Sequence, residues 1–406
     1  MIVGAGIGAS YVRRTTPPPE VAQPRPATPA PSTARYAAVD PAALPGWTQD
    51  SVAQALPALK RSCAKIAAIA PETVIGTGDI ARPARLWQSA CATIMQINDG
   101  DAALRAVLER EFTPYRVAIA TPDGQANDRG TFTGYYEADL NGSLERGGIY
   151  QVPIYGTPRD LVTVNVRDFL PAGTALPSGA PTSLVGRVDA GANQLKPYYT
   201  RAEIDAQGVI ADDADVLLWS DDPVAVHVLH IQGSGRVTLP DGQVVRIGFA
   251  GSNGRAFKGI GSILLEAGAL KPGGASMINV RDWLTQHPSE AAAYMNQNTR
   301  YIFFRRLDPS ETEDGPVGAQ GVSLTPLRSM AVDPRFVPLG APLWLDTTDP
   351  DGLPLQRLMV AQDVGAAITG AVRGDVFWGA GSEAFAKAAR MKSGGGYVVF
   401  VPKAAN

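Results

Sequence analysis

The 406-residue sequence predicts an α+β protein that is mainly β-sheet, with its helices concentrated in two stretches. Glycine (43 residues) and proline (33 residues) are abundant, and charged residues make up only 18%, which favours many short strands joined by tight turns. Apolar residues at helical spacing alternate along the chain with runs rich in β-branched and aromatic residues. The resulting order of helices, strands, helices and strands indicates two β-rich domains and allows one to be inserted within the other.

The N-terminal residues 1–38 are predicted to be a disordered segment and linker. An apolar run at 1–10 is far too short to span a bilayer, and it is either a remnant of a signal or anchor region or a stretch without a role. Residues 15–34 are rich in proline, alanine and threonine and cannot bury a core, so they predict an extended spacer. Such a spacer is typical of a cell-envelope protein, although no cysteine lies near the start to carry a lipid.

The folded part follows in four segments. Residues 49–70 and 84–121 have helical spacing, and residues 131–250 alternate apolar and polar positions in runs such as TFTGYYEADL and HVLHIQGSGRV, which predicts an antiparallel β region. Residues 255–298 return to helical spacing. Residues 300–403 contain strands again (APLWLDT, RLMVAQDV, GYVVFVP) with one helix near SEAFAKAARM.

Composition and spacing exclude several kinds of site. A net charge of −3 argues against nucleic acid as a partner. Cys63 and Cys91 flank a predicted helical hairpin and are either two buried thiols or one disulfide; no cysteine spacing suggests a metal site. His227 and His230 are placed on a strand with opposite orientations, which disfavours a metal pair or a catalytic histidine. No GxSxG or phosphate-binding loop is present, so no cofactor and no metal are predicted.

Two aspartates are the candidate catalytic residues. Asp363 directly follows the apolar run RLMVAQ, and Asp375 lies twelve residues later in a glycine-rich stretch beside Phe377 and Trp378. Burial of a carboxyl at such a position raises its pKa, as a general acid for glycosidic cleavage requires. The alternative is that an aspartate in a glycine-rich loop only hydrogen-bonds its own turn.

Aromatic and amide side chains suggest a sugar site. Tyr135, Tyr136, Gln232 and Trp378 are predicted to be exposed, where rings stack on sugars and amides bind hydroxyls. Each of these positions also fits ordinary packing or turn chemistry when taken alone.

Six blocks together resemble the membrane-bound lytic murein transglycosylase A (MltA) family. They stand in the family's order between residues 132 and 384: FTGYYEADLNGS, HVLHIQGSGRV, GFAGSNGRAFKGIGSILLEAG, NQNTRYIFF, LTPLRSMAVDPRFVPLGAPLWL and RLMVAQDVGAAITGAVRGDVFWGAGSEA. The resemblance implies a double-psi β-barrel domain built from residues 39–133 and 313–406. Residues 134–312 would form an inserted second β-barrel domain with helices, and the glycan would lie between the two.

The resemblance also implies an activity and a set of residues. Members cut the β-1,4 bond between N-acetylmuramic acid and N-acetylglucosamine in peptidoglycan and form 1,6-anhydromuramic ends. The general acid and base falls on Asp375 and the second functional aspartate on Asp363. The implied groove adds six residues to the four above: Gly233, Ser234, Asn253, Gly254, Lys258 and Arg328.

The resemblance further implies a periplasmic or outer-membrane-associated enzyme, active as a monomer without a cofactor, with cell-wall synthesis proteins as possible partners. Two alternatives remain at this point, a non-catalytic peptidoglycan-binding protein and a hydrolase on a related barrel. Retention of both Asp363 and Asp375 argues against the pure binding protein.

Overall fold

The computed structural model describes residues 34–121, 123–171, 174, 180–181, 183–189, 191–311 and 314–404. The predicted linker up to residue 33 lies outside these residues. The α-helices within them are α1 (Leu56–Ala67), α2 (Ala84–Met95), α3 (Asp101–Glu111), α4 (Arg201–Gln207), α5 (Pro223–Gln232), α6 (Ile260–Glu266), α7 (Met277–Gln286), α8 (Pro288–Met295) and α9 (Gly381–Ala388). None of the helices in this described part has the length and apolar character needed to cross a membrane.

Strands dominate the rest of the chain, which confirms the α+β, mainly β prediction. They are β1 (Ala34–Ala38), β2 (Val74–Ile75), β3 (Arg82–Pro83), β4 (Phe112–Ala120), β5 (Ala126–Asn127), β6 (Gly130–Ser143), β7 (Val152–Tyr155), β8 (Leu161–Asn165), β9 (Ser183–Asp189), β10 (Gln194–Pro197), β11 (Val216–Ser220), β12 (Ser234–Thr238), β13 (Val244–Ser252), β14 (Ile302–Arg306), β15 (Ser329–Ala331), β16 (Pro342–Thr348), β17 (Pro354–Asp363), β18 (Arg373–Ala380) and β19 (Lys392–Pro402).

Most strands belong to one 14-stranded mixed sheet. Its pairing runs from β19 through β16, β17, β15 and β18 to β6, and β6 pairs back with β19. Two neighbouring pairs on this path are parallel, β15 with β17 and β18 with β6. Side chains from these strands meet those of α1, α2 and α3 in one large apolar cluster that contains Trp87, Trp344 and Phe400.

Strand β6 connects two parts of the sheet. Its first half pairs with β18 and β19, and its second half pairs with β12 and β11. Strands β13 and β14 extend the sheet beyond β12, and β8, β9 and β10 form a separate three-stranded sheet. Because β6 is long and alternates its side chains between two faces, it carries residues into both parts.

Three sequence-based predictions of secondary structure are wrong, the first two in residues 112–121 and in the strand pairing of 131–250. Residues 112–121 are predicted to continue a helix, but strand β4 begins at Phe112. Pro114 explains the change, since it cannot donate an intrahelical hydrogen bond and disfavours helical geometry at Thr113. The segment 131–250 is also not wholly antiparallel, because β12 runs parallel to β6.

The HVLH segment is helical, which corrects its assignment to a strand. Helix α5 begins at Pro223, and the side chain of Asp222 caps it by accepting a hydrogen bond from the backbone N–H of Val224 at 2.8 Å. Gly233 ends the helix with a φ of 81°. These end signals outweigh the β-branched residues between them. His227 and His230, three residues apart, therefore lie on one face of the helix and not on opposite faces of a strand.

The helical hairpin near the N-terminus contains the two cysteines. Their Sγ atoms form a disulfide between α1 and α2, with the Cα atoms of Cys63 and Cys91 5.2 Å apart. Of the two possibilities that the sequence leaves open, the structure has the bridge.

Candidate active site

The two predicted catalytic aspartates lie on either side of a single strand. Ala331 of β15 is the register partner of Asp363 at the end of β17 and also of Asp375 in β18. With neighbouring strands about 4.8 Å apart, the backbones of the two aspartates are separated by roughly 10 Å. The eleven residues between them in sequence connect β17 to β18 and so place the two aspartates on opposite sides of Ala331.

Asp375 is a half-buried carboxyl with a single hydrogen-bond donor among the described residues. The Oγ1 of Thr133, on the neighbouring strand β6, donates to its Oδ1 at 2.5 Å. Burial raises the pKa of Asp375 to about 6, while the Thr133 hydrogen bond and the charge of Arg373 oppose the shift and the charge of Asp363 adds to it. Desolvation therefore outweighs the favourable contacts, and the protonated acid persists close to neutral pH.

Arg373 determines the direction of the hydrogen bond from Thr133. Its Nη2 donates to the Thr133 Oγ1 at 2.8 Å, so this hydroxyl accepts from the guanidinium and directs its own hydrogen to Asp375 Oδ1. Because Oδ1 is held as an acceptor, the proton of the acidic form is left to Oδ2.

Asp363 has more donors than Asp375. Its Oδ1 accepts from the backbone N–H groups of Ala319 and Val364, both at 2.9 Å, and its Oδ2 accepts from the Tyr135 hydroxyl at 2.9 Å. Burial still raises the pKa of Asp363 above its ordinary value against these three donors. Tyr135 is thus part of the site through its hydroxyl.

The predicted exposure of the two tyrosines is wrong. Tyr135 is 8% exposed and packs against Phe377 at a centroid distance of 5.3 Å, and Tyr136 is 6% exposed and packs against Phe385 at 5.2 Å. Adjacent residues of a strand point to opposite faces, and both faces of β6 are covered here. Neither ring is free to stack on a sugar.

Gln232 and Trp378 are half-buried. Gln232 is the last residue of α5, and its Oε1 accepts from the backbone N–H of Tyr136 at 3.1 Å. The indole Nε1 of Trp378 contacts the Sδ of Met391 at 3.3 Å. Trp378 also lies so close to Gly134 that a Cβ there would stand 2.6 Å from the indole Nε1, so this strand position requires glycine.

The predicted groove residues that follow α5 have structural roles within the fold. Gly233 caps the helix and Ser234 is buried as the first residue of β12. The buried Asn253 donates to the carbonyls of Tyr199 and Thr299 at 2.8 Å each, so both of its amide hydrogens are used.

Gly254 has a φ of 68°, which an L side chain rarely adopts, and a Cβ there would meet Val185 at 2.6 Å. The exposed Lys258 forms an ion pair with Glu266 at 2.5 Å. No hydrogen bond between described residues links Asn253, Gly254 or Lys258 to the two aspartates.

Arg328 also has a structural role. It is 3% exposed and forms a two-pronged ion pair with Asp50, with N–O distances of 2.7 and 2.9 Å. It donates further to the carbonyls of Leu358 and Ser51. Arg328 therefore joins the segment before α1 to the sheet and is not placed beside Asp375 by any contact in the described region.

The histidines of α5 are buried and uncharged. Burial lowers the pKa of His227 and of His230 well below its ordinary value, and the charge of Arg201 lowers both further. Among the residues that the structure describes, no cluster of histidine, cysteine and acidic side chains could hold a metal ion.

Thr133 and Arg373 were not among the sequence-based candidates. Thr133 stands two residues before Tyr135, so the period of a strand already places both side chains on one face of β6. Nothing in the sequence indicates that this face meets both aspartates, because that depends on the pairing of β6 with β18.

Comparisons with known proteins agree with this architecture. Two family models match, one described as the MltA specific insert domain over residues 131–305 and one described as the 3D domain over residues 328–401. The crystal structure of MltA from Neisseria gonorrhoeae in its monoclinic form is 33% identical, with a TM-score of 0.74 over 92% of this chain and 94% of that chain. This chain belongs to the MltA family. The resemblance stated from the six sequence blocks is thereby confirmed.

Two further MltA-family relatives are similar. The crystal structure of a membrane-bound lytic murein transglycosylase from Agrobacterium tumefaciens is 29% identical, with a TM-score of 0.76 over 90% of this chain and 97% of that chain. The curated membrane-bound lytic murein transglycosylase A of Escherichia coli strain K12 is 30% identical over 261 residues, which make up 62% of this chain. The matched region spans 60% of that relative's length.

Proposed function

We propose that this protein is a lytic transglycosylase that cleaves the β-1,4 bond between N-acetylmuramic acid and N-acetylglucosamine in peptidoglycan. The observation that carries the proposal is Asp375, a half-buried carboxyl whose pKa burial raises to about 6, with a second half-buried carboxyl, Asp363, across one strand. Family membership supports the choice of substrate, because the relatives from Agrobacterium tumefaciens and Escherichia coli carry the name lytic murein transglycosylase.

In the first step, protonated Asp375 donates its proton from Oδ2 to the glycosidic oxygen. The hydrogen bond from Thr133 keeps Oδ1 as an acceptor, which leaves Oδ2 to carry the proton toward the leaving group. The C1–O bond breaks as positive charge develops at C1 of the muramic acid. The nearby carboxylate of Asp363 stabilises this charge through space.

In the second step, Asp375 is a carboxylate and accepts the proton of the C6 hydroxyl of the same muramic acid. The C6 oxygen forms a bond to C1 and closes the 1,6-anhydro ring, which regenerates protonated Asp375. Because the nucleophile is part of the substrate, no water has to be positioned and one carboxyl serves as both acid and base. This differs from ordinary glycosidases, which use a pair of carboxyls.

We also propose a finer description of the fold. The strand path that returns from β6 to β19 supports a double-psi β-barrel formed from residues 39–133 and 313–406. Residues 134–312 would form the inserted barrel domain, and the glycan would lie between the two where β6 passes from one to the other. In this groove Gln232 and Trp378, both half-buried, are the predicted residues best placed to meet a sugar.

The proposed surroundings of the enzyme follow from its substrate. It acts on glycan strands in the periplasm or cell envelope, associated with the outer membrane, as a monomer without a cofactor. The name of the Escherichia coli relative, a membrane-bound enzyme, supports envelope association. Proteins of cell-wall synthesis are the proposed protein partners.

Mass spectrometry of digested peptidoglycan tests this proposal directly. The transglycosylase releases muropeptides with 1,6-anhydromuramic ends. Products that are heavier by one water would identify a hydrolase, and binding without release would identify a non-catalytic protein.

The matched variants are Asp375→Asn and Asp212→Asn. The first removes the acid and should abolish release while glycan binding in a pull-down is retained. The second replaces an exposed aspartate and should leave release unchanged. An active Asp375→Asn enzyme would contradict the assignment of the acid.

A further inference from the structure

A polar cavity of about 300 Å³ lies at the far end of β17 from the two aspartates. Its wall includes Gln49, Asp50, Gln54, Arg328, Gln356 and Arg357. Arg357 lies six positions before Asp363 along an extended strand, a distance of about 20 Å. The cavity is therefore separate from the candidate active site.

The charge of Asp50 in this cavity is already satisfied. Its Oδ2 accepts from Arg328 Nη1 at 2.7 Å and from the backbone N–H of Leu358 at 2.9 Å, and its Oδ1 accepts from Arg328 Nη2 at 2.9 Å. A two-pronged pair of this kind neutralises one positive and one negative charge. It leaves the second arginine of the wall without an ion-pair partner among the described residues.

Arg357 is that second arginine. Its Nε is buried without a hydrogen-bond partner, and the guanidinium forms no ion pair with any residue in the described ranges. Besides Asp50, the charge of Asp349 acts on Arg357. Asp349 already accepts from two backbone N–H groups, of Asp351 and Leu353, and lies 3.6 Å from Lys387. A half-buried cation without a partner is unfavourable, so the cavity attracts an anion.

The side chains around Arg357 indicate which class of anion the cavity would bind. A planar guanidinium binds a carboxylate through two parallel hydrogen bonds. The amide side chain of Gln49, exposed at the rim, can bind a peptide amide, whereas the amide of Gln356 already donates to Asp346 at 2.9 Å. A carboxylate next to an amide is the group found at the C-terminal end of a short peptide.

We propose that this cavity binds a carboxylate next to an amide, with Arg357 as its counter-charge. Two components of peptidoglycan carry such a group, the C-terminal end of the peptide stem and the lactyl side chain of a muramic acid that carries no stem. The choice of peptidoglycan as the source rests on the proposed function, whereas the carboxylate chemistry of the cavity does not.

Calorimetric titration of the full chain tests the proposal. The probes are N-acetyl-D-alanyl-D-alanine, the same dipeptide with an amidated C-terminus, and N-acetylmuramic acid. We expect saturable binding of a carboxylate probe and at least about tenfold weaker binding of the amidated dipeptide, because one charge-assisted pair is lost. Binding of the dipeptide identifies the stem as the source, and binding of N-acetylmuramic acid identifies the lactyl group.

Variants connect the binding to Arg357. Arg357→Gln should weaken the carboxylate probe at least about tenfold, Arg357→Lys should retain part of the affinity, and the exposed Arg110→Gln should bind like the wild type. The proposal is overturned if no probe saturates, if acid and amide bind equally, or if Arg357→Gln binds like the wild type. The comparison of acid with amide needs no variant, so it stands even where a substitution prevents folding.

The titration tests the cavity proposal and the cleavage assay tests the proposed function, so either proposal can be rejected without the other. Peptide-free glycan is cleaved at the aspartates about 20 Å away, so Arg357→Gln should release anhydro products from it at the wild-type rate. A wild-type protein that binds no carboxylate probe but still releases anhydro products would reject the cavity proposal alone.

Discussion

Replacing Asp375 by asparagine should stabilise the protein at neutral pH while it removes activity. The two side chains have nearly the same shape, and the Thr133 hydroxyl can donate to the amide oxygen as it does to the carboxylate. What disappears is the requirement to hold a charge in a desolvated position. The effect of this charge on stability can be worked from the pKa.

Burial raises the pKa of Asp375 from 3.8 to about 6 in the folded protein. The folded state therefore binds this proton more tightly than the unfolded state, and the wild type loses stability as the pH rises from about 4 to about 6. With 1.36 kcal/mol for each pH unit, the loss is complete above the folded pKa and amounts to at most about 3 kcal/mol. Asparagine has no proton to lose, so the variant avoids the loss.

Urea unfolding of the wild type and Asp375→Asn between pH 4 and pH 7.5 checks this reasoning. The difference in free energy of unfolding should be small near pH 4 and should grow in favour of the variant up to about pH 7. Asp212→Asn, at an exposed position, should stay within about 0.5 kcal/mol of the wild type. A difference for Asp375→Asn that does not change with pH would refute burial as the cause of the raised pKa.

Three further predictions concern the same molecule. Thr133→Val removes a hydrogen bond that lowers the pKa of Asp375, so the alkaline limb of the kcat/KM profile should move to higher pH; an unmoved limb would contradict the contact. Asp363→Asn should lower kcat by about 10²- to 10³-fold without abolishing anhydro product, measured by release from purified peptidoglycan, and complete loss would make Asp363 indispensable. The double variant Cys63→Ser with Cys91→Ser opens a loop of 28 residues and should lower the free energy of unfolding by about 3–4 kcal/mol relative to the oxidised wild type. Relative to the reduced wild type, the double variant should show no change in the free energy of unfolding.

Much of the fold could be predicted because it is encoded in local patterns. The alternation in TFTGYYEADL marks β6, and the apolar runs at 342–348 and 354–363 mark β16 and β17. Where a prediction was wrong, a different local signal was stronger. Pro114 ended the helical pattern, and Asp222 with Gly233 enclosed a helix whose β-branched residues resemble a strand.

The candidate site divides in the same way. The sequence by itself determined that Asp363 follows an apolar run, that Asp375 lies in a glycine-rich stretch, and that Tyr135 stands on one face of β6. It also determined the family through six blocks spread over residues 132–384. These properties depend on residue type and on spacing along the chain.

Only the tertiary structure decided which groups meet. The placement of Ala331 between the two aspartates and the contact of Thr133 with Asp375 arise from pairings between strands far apart in the chain. The burial of Tyr136 and the ion pair of Arg328 with Asp50 likewise depend on distant segments. Desolvation is a property of everything packed around a group, so the raised pKa of Asp375 exists only in the folded protein.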